Sequence, residues 1–177
     1  MDHHVPESGE TISEVHRLPE MNPSIRKSRS MEMSRVRIAS DKPFPGNEIE
    51  LRLYRAVFGK KQTRLNEKFS KLFSDNGWSV PWVNGVYPFH HFHAEAHEVL
   101  GCIAGWVLVQ MGGPNGPQVK LETGDAVLIP AGVAHKNIDC SADYSISGSY
   151  PQGQNPDLRR GSAEEWNDVL VKISLVR

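Results

Sequence analysis

The sequence predicts an all-β, single-domain protein, an antiparallel sandwich or closed barrel with one or two peripheral helices. Three observations carry this. Between residues 85 and 150, short apolar runs alternate with turn chemistry, most plainly at Gly112-Gly113-Pro114-Asn115-Gly116-Pro117. The best helical period in the chain is confined to residues 63–76. The length, 177 residues, suits one well-buried core and is short for two.

The elements follow in order. Residues 1–34 are polar, with prolines and mixed charge and little periodicity, and read as a flexible N-terminal extension before a folded domain over 35–177. The basic cluster Arg26, Lys27 and Arg29 reads as solvated tail. Val36 and Ile38 begin the order, and the run 42–46 breaks it. Ile49, Leu51 and Leu53 alternate with polar residues, as in a half-buried strand. Leu65, Phe69, Leu72 and Phe73 fall on one face of a helix, with Thr63 as its N-cap and Asn76-Gly77 as its stop.

Trp78 and Trp82, around Pro81, read as seals on the core edge, one of which would border a pocket. The apolar run 99–111 contains Gly101 and Gly105, as in strands that bulge or turn a barrel corner. The loop 112–117 lacks a following Lys-Ser/Thr and a helix, so it reads as a hairpin connection and not a phosphate cradle. Residues 119–121, 126–129 and 144–150 read as further strands. Ser162 to Glu165 has the spacing of a capping box opening a short helix, and 169–176 reads as a last strand.

Composition excludes several function classes. With 20 basic and 21 acidic side chains the net charge is −1, which gives no electrostatic case for nucleic acid or anionic membrane. No apolar run approaches the roughly 20 residues that span a bilayer. The first 30 residues lack the apolar stretch of a secretory signal. Cys102 and Cys140 make no disulfide framework and read as small buried residues in a reducing, cytoplasmic setting.

The chemistry gathers in residues 85–150. Histidines stand at 90, 91, 93 and 97, a density hard to assign to solvated strand positions. Residues two apart in a strand share a face, so His91 and His93 point the same way and His90 points away. By the same parity Tyr87 and Phe89 would line a substrate site, and Asn137 would share the face of His135. Of His97 and Glu98, adjacent after a turn at 94–96, one faces inward. His97 is a candidate ligand if the turn carries a bulge, and otherwise a candidate acid/base group or a partner standing behind the ligands. Imidazoles and a carboxylate suit a mid-row divalent metal.

The chain resembles the cupin superfamily. Gly85, His91, His93, Glu98 and Gly105 match its first motif, and Gly124, Pro130, Gly132 and His135 match its second. The second motif's final Asn is replaced by Asp139, with an Asn at 137 instead. The wording around 97–101, 112–116 and 130–136 further resembles the small single-domain YjlB-like cupins. The resemblance spans about residues 36–160 and implies a jelly-roll barrel. It implies one divalent metal ion per chain (Fe, Mn, Ni or Zn) held by His91, His93, Glu98 and His135, the family spacing selecting Glu98 over His97. It also implies a homodimer.

The expected function is a metal-dependent enzyme acting on a small oxygenated molecule. Oxidation is the first reading, because such a set holding Fe(II) leaves positions open for substrate and O₂. Metal-assisted isomerisation, dehydration or decarboxylation is the alternative, with His97 moving the proton. A non-catalytic small-molecule sensor is the third, weakened because no helix-turn-helix segment accompanies the domain.

Overall fold

The structure, a computed structural model, describes residues 31–177. The expected extension lies outside the described residues as far as residue 30, and 32–34 already belong to a strand. The strands are β1 (Glu32–Ile38), β2 (Asn47–Arg55), β3 (Trp82–Asn84), β4 (Glu98–Ala104), β5 (Trp106–Met111), β6 (Gln118–Glu122), β7 (Ala126–Ile129), β8 (His135–Cys140) and β9 (Ser145–Ser149). The helices are α1 (Leu65–Asp75) and α2 (Trp166–Leu175). One sheet runs β1-β2-β7-β4-β9-β3 and the other β6-β5-β8, with antiparallel pairing throughout. This is the expected all-β jelly-roll architecture. The apolar run 99–111 divides at Gly105, where the chain passes from the six-stranded sheet to the three-stranded one.

Alternation along the strands sorts the apolar residues into two layers. Leu100 and Cys102 on β4, Val127 and Ile129 on β7, and Ile146 on β9 point between the sheets. They meet Val107, Val109 and Met111 from β5. The opposite parity, Val99, Ala126 and Leu128, faces outward and is covered by Leu65, Phe69, Leu72 and Phe73 of α1. Each fully buried side chain of this size contributes about 1.5–3 kcal/mol, so α1 is held by packing and not by its ends. Its start differs from expectation. Arg64 precedes the helix in a left-handed conformation with no side-chain cap, and its guanidinium pairs with Glu67 across the first turn.

The C-terminal segment corrects two expectations. Residues 169–175 are helical and not a strand, because Trp166, Val169 and Ile173 recur at a helical spacing. Val169 and Ile173 cover a third cluster of Phe44, Phe92, Ala94 and Ala134 at one end of the sandwich. The capping box does not form. Ser162 Oγ accepts from the Glu164 N–H at 3.2 Å, while Glu165 binds Arg159 at 2.7 Å. Cys102 is buried, and burial pushes its thiol up to about 12. Cys140 is only half-buried. Among the described residues no helix is long and apolar enough to cross a membrane.

The Phe69 ring of α1 packs tightly over Gly101, where a Cβ would come within 2.6 Å of it. Gly101→Ala is therefore expected to cost about 1–3 kcal/mol by overpacking, read from urea denaturation. Adding Phe69→Leu should return part of that loss. A single variant as stable as the parent would contradict the packing described.

Candidate metal centre and cavity

His91 and His135 are paired residues on neighbouring chain segments. The His91 N–H donates to the His135 carbonyl at 3.2 Å, and the His135 N–H to the His91 carbonyl at 2.8 Å. Paired residues project to the same side, and their ring centroids lie 4.0 Å apart. The His-x-His segment is not a full strand but two isolated bridges, His91 to His135 and Phe92 to Arg159. Alternation still holds: Phe92 turns into the third apolar cluster and His93 returns to the side of His91. Gly132 anchors the segment by donating its N–H to the His93 carbonyl at 2.8 Å. Its φ is +81°, and a Cβ would sit 2.8 Å from the Gly46 carbonyl oxygen, so only glycine suits this turn. One ligand atom from each of His91, His93 and His135 lies within 4.8 Å of the other two, and all three residues are buried.

The protons on these rings follow from their partners. His91 Nδ1 lies 3.2 Å from the Phe89 carbonyl, His135 Nδ1 lies 3.2 Å from the Val133 carbonyl, and His93 Nδ1 meets the Asp157 carbonyl. A carbonyl only accepts, so each Nδ1 carries the hydrogen and a neutral ring presents its Nε2 lone pair. Glu98 joins them from the start of β4, where it shares the inward parity of Leu100 and Cys102. Its carboxylate is 3% exposed, with Oε2 3.0 Å from His135 Nε2 and Oε1 3.7 Å from His93 Nε2. Oε2 has no hydrogen-bond donor. Burial raises the Glu98 pKa, but without a metal the His135 and His93 rings, when also protonated on Nε2, outweigh it and hold the carboxyl well below the usual range. Burial pulls His93 down, and Glu98 beside it carries it above its ordinary value. Burial, with His135 alongside, lowers His91 to about 3. The arrangement is a buried cluster of acceptors facing one another, which fits a bound cation: three imidazole nitrogens and a carboxylate oxygen are the donor set of a mid-row divalent metal.

The other expected residues take different places. His97 is 1% exposed and shares the outward parity of Val99. Its Nδ1 accepts from the Ala131 N–H at 2.9 Å, and its own N–H donates to Gln154 Oε1 at 2.8 Å. Burial lowers it to about 4. It does not line the cavity, so the proton-moving role expected of it does not suit its position. Tyr87 lines the cavity, with its ring 5.0 Å from His91. Phe89 is not a lining residue and stacks behind Tyr87 at 4.9 Å. Asn137 also stands behind the wall, its Nδ2 donating to Tyr144 Oη at 3.1 Å. His90 turns away onto Phe44, with ring centroids 5.3 Å apart.

The cavity has a volume of about 260 Å³ and reaches His91, His135 and Glu98 between walls of Trp82, Val86, Tyr87, Leu100 and Tyr150. Tyr150 was not among the expected site residues. Its Oη lies 3.4 Å from His93 Nε2, and burial together with the Glu98 carboxylate raises its pKa. The alternation of 144–150 held the signal, since Tyr150 has the parity of the inward Ile146. Trp82 reaches the cavity from β3 by lying against Gly148, where a Cβ would clash with the indole. Asp157 supports His93 from the segment between β9 and α2.

No protein-family model matches the chain. Uncharacterized protein YjlB of Bacillus subtilis (strain 168) is 37% identical over 113 residues, which cover 64% of this chain and 67% of that protein. Among solved structures, a DUF861 family protein of Thermotoga maritima is 23% identical and aligns over 51% of this chain and 93% of its own, with a TM-score of 0.33. The dTDP-4-dehydrorhamnose 3,5-epimerase of Elizabethkingia anophelis is 14% identical over 72% of this chain and 77% of its own, with a TM-score of 0.41. The identity to YjlB, with the histidines of both motifs in place on a jelly-roll scaffold, places the protein in its family: the chain belongs to the YjlB-like cupins.

Proposed function

We propose that this cupin is a metal-dependent enzyme acting on a small oxygenated organic molecule, with oxidation as its reaction type. The observation that carries the reading is the cluster of one ligand atom each from His91, His93 and His135 within 4.8 Å of one another, with the buried Glu98 carboxylate 3.0 Å from His135 Nε2 and 3.7 Å from His93 Nε2 and its Oε2 without a hydrogen-bond partner. These four residues would hold one divalent ion. When bound, that ion would supply a Lewis acid and, as iron(II), one-electron redox chemistry. Trp82, Val86 and Leu100 exclude water from the site and make its walls apolar. Tyr87 and Tyr150 add aromatic faces. Among the described residues no lysine or arginine lines the cavity, so the walls favour an uncharged molecule. About 260 Å³ lies below the ~300–1,000 Å³ of drug-sized pockets, which sets a limit of a small ring or short chain.

A second reading, isomerisation or dehydration, is supported by Tyr150. Its hydroxyl faces the site beside Glu98 and His93 and can hold or hand over a proton, which His97 cannot do from the far side of β4.

Two outcomes test these readings. His91→Ala, His93→Ala and His135→Ala should each lose stoichiometric metal in elemental analysis. His97→Ala should keep it while losing about 1–3 kcal/mol of stability, since the Ala131 N–H loses its acceptor. Metal retained by all three ligand variants would end the assignment. Protein loaded with Fe(II) should take up O₂ with a substrate from a panel of small enols, diols and phenols, and Zn(II)-loaded protein should not. Anaerobic turnover with Zn(II) would select the second reading.

A further inference from the structure

We propose that Asp157, between β9 and α2, is the positioning residue for the His93–Glu98 half of the metal centre. The inference rests on the metal-site reading above and assigns the residue that sets its geometry. His93 and Glu98 are joined by a loop of four residues with no strand pairing of its own. Ala94, Ala96 and His97 are nearly inaccessible to water, so the amide groups of the loop need protein acceptors. Asp157 provides for two of them. Its Oδ1 accepts from the Ala94 N–H at 2.7 Å and the Glu95 N–H at 3.1 Å. Its main-chain carbonyl accepts from His93 Nδ1, which selects the tautomer with Nε2 toward Glu98.

One residue thus fixes both the ring of one ligand and the backbone leading to the next. Asp157 is itself held. Arg159 Nε donates to its Oδ2 at 2.6 Å, and the Arg159 backbone pairs with Phe92 through two hydrogen bonds of 2.9 Å. The same guanidinium reaches Glu165, just before α2, at 2.7 Å. Gln154 takes the His97 N–H at 2.8 Å, and Lys172 of α2 holds Glu95 at 2.6 Å. The ligand loop therefore takes its shape from the C-terminal segment and not from the barrel alone.

The test uses full-length Asp157→Ala, Asp157→Asn and Asp157→Glu. Each is titrated with Co(II) and followed by visible absorption. Each is also studied metal-free, by proton–nitrogen correlation of the His93 ring. Asn keeps an oxygen for the two amides and should bind Co(II) close to wild type with unaltered bands. Ala removes that oxygen and should weaken binding by about tenfold or more, with changed bands. Glu keeps the charge but moves the carboxylate out by a methylene, and should behave like Ala. In the metal-free proteins His93 should hold its Nδ1–H tautomer in wild type and Asn, and become mixed in Ala and Glu. If Ala merely lowers the thermal midpoint, with affinity, bands and tautomer unchanged, the proposal is overturned. If Ala does not fold, Glu binding as tightly as Asn overturns it. If wild type takes up no Co(II), the metal reading fails. The tautomer then decides, and a wild-type ring in Ala or Glu overturns the positioning role.

Discussion

A carboxylate removed from water must meet positive charge or hydrogen-bond donors, and Glu98 is held at 3% exposure against imidazole edges whose protons are turned the other way. Everything around the centre serves that unfavourable grouping. The His91–His135 pair sets two rings side by side through backbone bonds, Gly132 anchors the His93 backbone in a turn that no side chain could occupy, and β4 delivers Glu98 by simple alternation. The carbonyls of Phe89, Val133 and Asp157 each fix one ring. The result is a preformed concentration of lone pairs in a dry place, an arrangement that a metal ion stabilises and an apo protein tolerates only by sharing protons.

The scaffold affords this because the rest of the sandwich is conventionally packed. Two apolar layers flank the six-stranded sheet, one between the sheets and one under α1. The proposed ligands sit at the ends of β4 and β8 and in the irregular segment before β4, where the layers stop and a cavity can open. That edge is closed by the chain after β9, which is why residues far along the sequence shape a site whose ligands lie at 91–98 and 135.

Much of this was legible in the residues. Alternation marked β2 and β9, a short continuous apolar run marked β7, which is covered on both faces, and the 3.6-residue stripe marked α1. Parity alone left Glu98 and His97 open and the family spacing selected Glu98; the register of β4, which Leu100 and Cys102 fix by their burial, turns Glu98 inward. The helix over 166–175 was misread from residue 169 onward because a short apolar stretch such as Val169 to Val176 suits either period when its buried partner is unknown. That partner, the Phe44–Phe92 cluster, is assembled from three distant segments. Asp157 left no sequence signal at all. Its role depends on amides 62 and 63 positions away, which composition and spacing do not record.

The account stands on one claim, that the Glu98 carboxylate and the three Nε2 atoms are made to share a cation. X-ray absorption at the metal edge of protein loaded with one equivalent of Fe(II), Co(II) or Zn(II) tests it most directly. The account predicts a shell of three nitrogens and one or more oxygens at roughly 2.0–2.2 Å, with imidazole multiple scattering, and loss of imidazole signal in His135→Ala. A spectrum of hydrated ion without imidazole scattering, or one identical in His135→Ala, would contradict it.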